Sequence, residues 1–239
     1  MVKIPDKGDP TLDAIRNKSV ELHSSQPHRS YIGASIIGEE CARKIYLGYR
    51  HPELASPFDC DSIYRFDDGH RTEDLIISRL KQSGFLEVWD KDENGEQYGF
   101  SEFGGKFSGH ADGIIRGLLQ SPKTVHVLEI KCTEKLAAFQ RAKLKCGDKG
   151  ALKEWNFKYF VQAQIYMHYF NLDRHYTIVA SAGGRSMDSC RTEYEKEVAL
   201  QYIDRAKALI DAVSEPPRIS EKPDFFLCRM CQFHGHCHG

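Results

Sequence analysis

The stretch Val125-His126-Val127-Leu128-Glu129-Ile130-Lys131 reads as a buried strand that ends in chemistry. Val125, Val127 and Ile130 are β-branched, and the run is short and apolar, the pattern of a core strand. Two opposite charges then appear, Glu129 and Lys131. Residues i and i+2 of a strand share a face, so carboxylate and ammonium project together from a segment that is otherwise buried. Burying charge is costly unless it is paired or binds a metal. The plain reading is a salt bridge at a strand end, because Glu-x-Lys alone is a common pattern.

The residues upstream point further. Phe107-Ser108-Gly109-His110-Ala111-Asp112-Gly113-Ile114-Ile115 reads as another strand, with Asp112 among small residues, seventeen positions before Glu129. A hairpin through Gly117 to Lys123, with Ser121-Pro122, brings the two carboxylates side by side. Two carboxylates and a strand-end carbonyl form a hard-oxygen site suited to Mg²⁺ or Mn²⁺. Lys131 is then placed to orient or help deprotonate a water, or to neutralise phosphate charge.

Asp112 followed by Glu129-x-Lys131 resembles the core of the PD-(D/E)XK nuclease superfamily, with Ala111 where the family's name has proline. Tyr159-Phe160-Val161-Gln162-Ala163-Gln164-Ile165-Tyr166 resembles the Gln-containing helix of the RecB-like and lambda-exonuclease-like branches. Gly69-His70-Arg71-Thr72-Glu73 resembles their first motif, a helix presenting Glu or His to the metal. Read without the resemblance, Glu73 is a solvated helical carboxylate.

Composition agrees with an enzyme of this kind. The 239 residues suffice for a sizeable core, and 41% hydrophobic with 28% charged residues is ordinary for a globular protein. A net charge of −1 gives no global attraction to nucleic acid, so DNA binding requires a local patch. No apolar run approaches a membrane span and no signal-peptide pattern is visible, so the expected location is the cytoplasm, the host's if the protein is phage-encoded. There the eight cysteines are expected as metal ligands or buried thiols rather than disulfides.

Along the chain, residues 1–10 read as a polar lead-in, and Thr11 as the cap of a helix from Leu12 to about His23. Ser35 or Gly38 is a candidate cap for a helix carrying Cys41, Ile45 and Tyr49. A long helix is expected from about Ile63 to Gln82. Strands are expected at Phe85 to Asp90, Tyr98 to Ser101, Phe107 to Arg116 and Val125 to Lys131, with His175 to Ser181 the last. Helices are expected at Leu136 to Leu144, Trp155 to Phe170 and Glu195 to Val213, where Pro216-Pro217 follows. Lys135 to Lys158 carries seven Lys/Arg against two Asp/Glu. Arg141, Lys143, Lys145 and Lys149, with Trp155 and Phe157 interleaved, read either as a solvated face or as a groove that tracks phosphates.

Cys228-Arg229-Met230-Cys231, followed by Cys237, has ligand spacing. Zinc can take these three cysteines with His234, His236 or His238. Alternatively Cys41, otherwise a small apolar core residue, joins them in a four-thiolate iron–sulfur site. The order Cys41, then Cys228, Cys231 and Cys237, resembles the 4Fe–4S site of the AddB nuclease domain and of the CRISPR-associated adaptation nucleases, where one N-terminal and three C-terminal cysteines clasp the core.

Together the motifs imply an α/β, restriction-endonuclease-like fold. It has a central mixed sheet flanked by helices, with the N- and C-terminal segments joined at a metal cluster. Residues 1–30 are a lead-in and helix, and 31–239 the nuclease domain. The implied activity is Mg²⁺- or Mn²⁺-dependent hydrolysis of DNA, an exonuclease of phage type in recombination or DNA processing. Asp112, Glu129, the Ile130 carbonyl and Glu73 or His70 would hold the metal. Lys131 would act on the water, Gln162 would orient Lys131 or the phosphate, and Tyr166 would line the same face. DNA is the implied partner, with a single-strand annealing or recombination protein and self-association as further expectations. Two other readings are an inactive DNA-binding protein of the same fold and a zinc-stabilised interaction module.

Overall fold

Asp9 opens the first helix. Its carboxylate accepts the N–H groups of Thr11 (2.9 Å) and Leu12 (3.3 Å), and Pro10 sits in the first turn, where its missing N–H is harmless. Thr11, the expected cap, therefore lies inside helix α1 (Pro10–Ser24). The computed structural model describes residues 8–239, so most of the expected lead-in lies outside the described residues. The apolar side of α1 is not buried: Leu12, Ile15 and Leu22 are each more than half exposed.

The chain continues through β1 (Ile32–Gly33), α2 (Ala42–Arg50), α3 (Cys60–Gln82), β2 (Glu87–Trp89), β3 (Gly99–Glu102), β4 (Phe107–His110), β5 (Gly113–Arg116) and β6 (His126–Cys132). Then come α4 (Leu136–Trp155), α5 (Phe157–Phe170), β7 (Arg174–Ala180), β8 (Met187–Glu193), α6 (Lys196–Asp211) and the short helices α7 (Phe226–Arg229) and α8 (His234–His238). Cys41 itself is the N-cap residue of α2, in place of Ser35 or Gly38. Helix α3 starts three residues earlier than expected, at Cys60, because Asp59 caps it by accepting the Ser62 N–H at 2.6 Å. Helix α4 runs past Leu144 to Trp155, broken at Gly147, whose φ of 72° suits glycine. Among the described residues, no helix is long and apolar enough to cross a membrane.

The strands form two mixed sheets flanked by helices, in the orders β1-β4-β3 and β2-β5-β6-β7-β8. The expected single strand Phe107–Arg116 is in fact two strands. Its first half pairs with β3, its second half with β6, and the chain changes sheets at Ala111-Asp112. Strand β8 was not expected. Its Asp188, Ser189 and Arg191 obscure the apolar alternation that marks a strand, because their partners come from α4: Lys143 meets Asp188 and the Ser189 carbonyl, and Arg191 meets Asp148.

Both faces of the larger sheet are covered. Val127 and Val179 join Phe139, Phe160 and Val161 on the α4/α5 side. Leu128, Ile130 and Ile178 join Ile76, Ile77 and Ile115 on the α3 side. Strand β6 alternates between these two cores, the pattern of a central strand with helices on each face. Glu129 and Lys131 share the face of Val127 and so lie under α5.

Candidate active site

The switch between sheets creates the site. The β5–β6 ladder begins at Gly113↔Leu128, so Asp112 lies just beyond the last pair. The main chain of β6 continues past it without a β5 partner. Asp112 fills the gap: its Oδ2 accepts the Ile130 N–H at 2.6 Å. This carboxylate is therefore held by β6 backbone as well as by its own chain.

Glu129 is nearly inaccessible, and one of its oxygens carries two donors. Oε1 accepts the Lys131 ammonium at 2.5 Å and the Gln162 amide of α5 at 3.0 Å. Gln162 also donates to the Tyr166 hydroxyl at 3.1 Å, and Tyr166 donates to the His110 carbonyl at 2.6 Å. The chain Glu129–Gln162–Tyr166–His110 thus returns to the strand that precedes Asp112. Glu129 Oε2 is buried without a hydrogen-bond partner. A buried orphan oxygen is costly unless it has a function to serve.

Burial pushes Asp112 well above the ordinary carboxylate range, and repulsion from Glu129 and Glu73 adds to it. Burial raises Glu129 as well, against the pull of Lys131 and of its two hydrogen bonds. Glu73, half-buried on α3, is raised by burial and then by the charge of Glu129. Burial works against charge on Lys131, but Glu129 and Asp112 outweigh it and hold the ammonium above its ordinary value. Three carboxylates thus share one region with one lysine, an arrangement short of positive charge. His70 is exposed, one turn before Glu73 on α3.

Tyr159 was missed as a site residue. Its ring centroid lies 4.8 Å from the Lys131 ammonium, a cation–π contact that orients the lysine opposite Glu129. Its position three residues before Gln162, on the same side of a helix, was the available signal.

No family model matches this chain, and no curated protein matches it. Solved structures do. SSO0001 superposes with a TM-score of 0.54 over 97% of this chain and 98% of its own, at 18% identity. The alkaline exonuclease LHK-Exo from Laribacter hongkongensis gives 0.51 over 81% and 90%, at 12% identity. Its complex with dAMP gives 0.51 over 76% and 86%, also at 12%. The chain shares its fold with an alkaline exonuclease.

A second constellation lies at the chain ends. Cys41, Cys228, Cys231 and Cys237 line one cavity, with His234 and His238. The tail is fastened there by the main chain of Ser56 and Gln232 (2.9 Å) and by Arg43, which donates to the Pro216 carbonyl at 2.6 Å. Burial raises the thiols of Cys228 and Cys231, and the neighbouring cysteines add to the shift. Of the three histidines, His234 faces the Pro223 carbonyl and His236 the Glu215 carboxylate, while the Nε2 of His238 is buried without a partner. Among the described residues, no three His, Cys, Asp or Glu side chains converge closely enough to hold a metal ion as placed. The four thiols therefore surround a cavity without meeting at a point.

The basic span is less free than its sequence suggests. Lys143 bonds Asp188 (2.8 Å), Lys145 bonds Glu154 (2.6 Å), Lys149 pairs with Glu193 (2.7 Å) and Lys153 with Glu195 (2.9 Å). Trp155 packs edge-on against Phe139 and is partly covered, whereas Phe157, tilted against Phe160, stays exposed. Arg141 is exposed.

Proposed function

We propose that this chain is a metal-dependent deoxyribonuclease that hydrolyses phosphodiester bonds, acting as an exonuclease. The observation that carries the reading is the gathering of Asp112, Glu129 and Lys131 at the break between sheets, with Gln162 bonded to Glu129 and Glu73 on α3 within electrostatic reach of both carboxylates. The residues suit a divalent cation. Glu129 has a buried oxygen without a partner, and the carboxylates repel one another in a way that a cation relieves. Asp112, Glu129 and the Ile130 carbonyl would hold Mg²⁺ or Mn²⁺, with Glu73 or His70 completing the set. Such an ion supplies charge neutralisation at the phosphate and lowers the pKa of water.

The chain's own residues do the rest. Lys131, fixed between Glu129 and the Tyr159 ring, orients the attacking water or the phosphate oxygen. Gln162 keeps Glu129 Oε1 occupied, which leaves Oε2 for the cation. Tyr166 anchors Gln162 to the His110 carbonyl. DNA is taken as the substrate because the similar exonuclease LHK-Exo is seen in complex with dAMP, and Arg141 is an exposed cation of the basic span that would meet its backbone. Lys143, Lys145 and Lys149 act there by exchanging their carboxylate partners for phosphates. The test is digestion of end-labelled linear and circular DNA with Mg²⁺ or Mn²⁺, against Glu129→Ala protein. Equal cleavage by the variant sinks the reading.

The cysteine cavity is proposed to hold a 4Fe–4S cluster. What supports this is that one N-terminal and three C-terminal cysteines line a single cavity. Zinc with His238 is the second reading, supported by the unpartnered Nε2. Metal analysis of anaerobically purified protein separates them.

A further inference from the structure

Glu73 must be carried to within reach of two carboxylates that repel it. Helix α3 lies on the sheet through Ile76 and Ile77, and apolar contact of that kind is non-directional. It holds a helix down but sets its axial position only loosely. Contacts of fixed length are needed to do that.

Two such contacts come from one turn. Between β7 and β8 the chain passes through Gly183 and Gly184, at φ of 71° and 60°. Thr72, the fully buried neighbour of Glu73, accepts the Gly183 N–H at 3.1 Å. Arg79, two helical turns further on, donates to the Gly184 carbonyl at 2.6 Å. The turn is itself braced: Gly184 donates to the Ser181 carbonyl (2.8 Å), and Ser181 to the Ser186 carbonyl (2.9 Å). A Cβ on Gly184 would stand 2.8 Å from the Arg79 guanidinium, and its backbone conformation is one L side chains rarely adopt. The turn starts where the site ends. Strand β7 runs parallel to β6 with Lys131↔Val179, and the Thr133 N–H donates to the Ala180 carbonyl at 2.8 Å.

We propose that the Gly183-Gly184 turn is the device that positions Glu73, with Thr72 and Arg79 as positioning residues that lock α3 to the ends of the two parallel strands. The proposal rests on the nuclease reading, because it assigns the turn a role in assembling that metal site. Thr72 is fully buried and Arg79 is engaged by the Gly184 carbonyl, so the role assigned to both is exerted through Glu73.

The test is Mg²⁺ and Mn²⁺ binding by calorimetry, with cleavage of linear duplex DNA followed as a function of metal concentration. Thr72→Val keeps the side-chain shape and removes the acceptor. It is expected to weaken metal binding about tenfold, the usual size of an outer-shell loss. Cleavage should recover at high metal concentration, and Thr72→Ser should bind as the wild type does. Arg79→Ala should behave like Thr72→Val, with Arg79→Lys partly restored. The pair Thr72→Val/Glu73→Gln should bind no more weakly than Glu73→Gln alone, because both changes act through one ligand. A purely structural role would lower thermal stability and leave the metal affinity of folded protein unchanged. Metal binding that Asp112→Asn abolishes but Thr72→Val and Arg79→Ala leave at wild-type strength overturns this proposal alone. Wild-type protein that binds no divalent metal and cuts no DNA overturns the nuclease reading and this proposal with it.

Discussion

Asp112 Oδ2 accepts the backbone N–H of Ile130 at 2.6 Å, so a side chain from the end of one strand satisfies the main chain of another. The contact lies where β5 stops pairing with β6, and it fixes the carboxylate beside Glu129.

Asp112→Ala, Glu129→Ala and Lys131→Ala are each expected to remove nearly all cleavage, by at least about a hundredfold. Groups that act as a unit lose most of their effect when one is removed. Circular dichroism should show folded protein in each case. Initial rates on end-labelled DNA check this, and a Lys131→Ala enzyme at half the wild-type rate contradicts it.

Removing a charge from the site should stabilise the metal-free protein. Asp112 has its folded-state pKa raised above the ordinary 3.8 by burial and by Glu129 and Glu73. A carboxylate raised in this way binds more protons folded than unfolded. Stability is therefore highest below 3.8 and falls as pH rises through the folded-state value. Asp112→Asn keeps an acceptor for the Ile130 N–H but carries no charge. Its melting temperature should exceed that of the wild type at pH 8 without metal, and the gap should close toward acid pH. Millimolar Mg²⁺ should raise the wild-type melting temperature at pH 8 and leave Asp112→Asn unmoved. A variant melting below the wild type at pH 8 counts against this balance of charge.

Tyr166→Phe should cost about 1 kcal/mol of stability, the usual net value of one buried hydrogen bond. It breaks the link from Gln162 to the His110 carbonyl. Cleavage should fall by less than in the Glu129 variant, because Gln162 still reaches Glu129 at 3.0 Å. Denaturant melts and rates on one preparation measure both.

Cys41→Ser, Cys228→Ser, Cys231→Ser and Cys237→Ser should each lower solubility and thermal stability, because one bound group would tie both chain ends together. The exposed Cys146 is the appropriate control; Cys190 is not, since it is fully buried and its loss would disturb the core. Protein purified without oxygen should be brown. A colourless preparation with one zinc per chain, indifferent to Cys41→Ser but not to a change at His238, would replace the cluster by zinc.

Arg141→Ala should reduce the salt dependence of DNA binding by a slope of about one. Lys145→Ala and Lys149→Ala break exposed, solvent-screened ion pairs and should leave stability nearly unchanged. If the same lysines reach phosphates, each also flattens the salt slope. An unchanged slope in a triple variant of Arg141, Lys145 and Lys149 returns this stretch to a solvated face.

Much of the larger sheet was legible in advance, because β6 is an apolar run with two charges at its end and local pattern suffices to read such a run. The nearness of Asp112 to Glu129 was legible too, since a hairpin joins them and a hairpin is a short-range event. Three things were not. The division of Phe107–Arg116 between two sheets depends on which partners claim each half; the Asp112-Gly113 breaker dipeptide marks the place but does not name the partners. Strand β8 was hidden because its polar residues find their partners on α4, so its alternation fades in the sequence. The lysines of the basic span look free in one dimension, but folding brings a carboxylate to each of Lys143, Lys145 and Lys149. Residue types and short-range geometry could be read from the chain alone. Which charges end up paired, which oxygen stays orphaned and how α3 is held against a glycine turn a hundred residues later were decided by long-range packing, which no local pattern encodes.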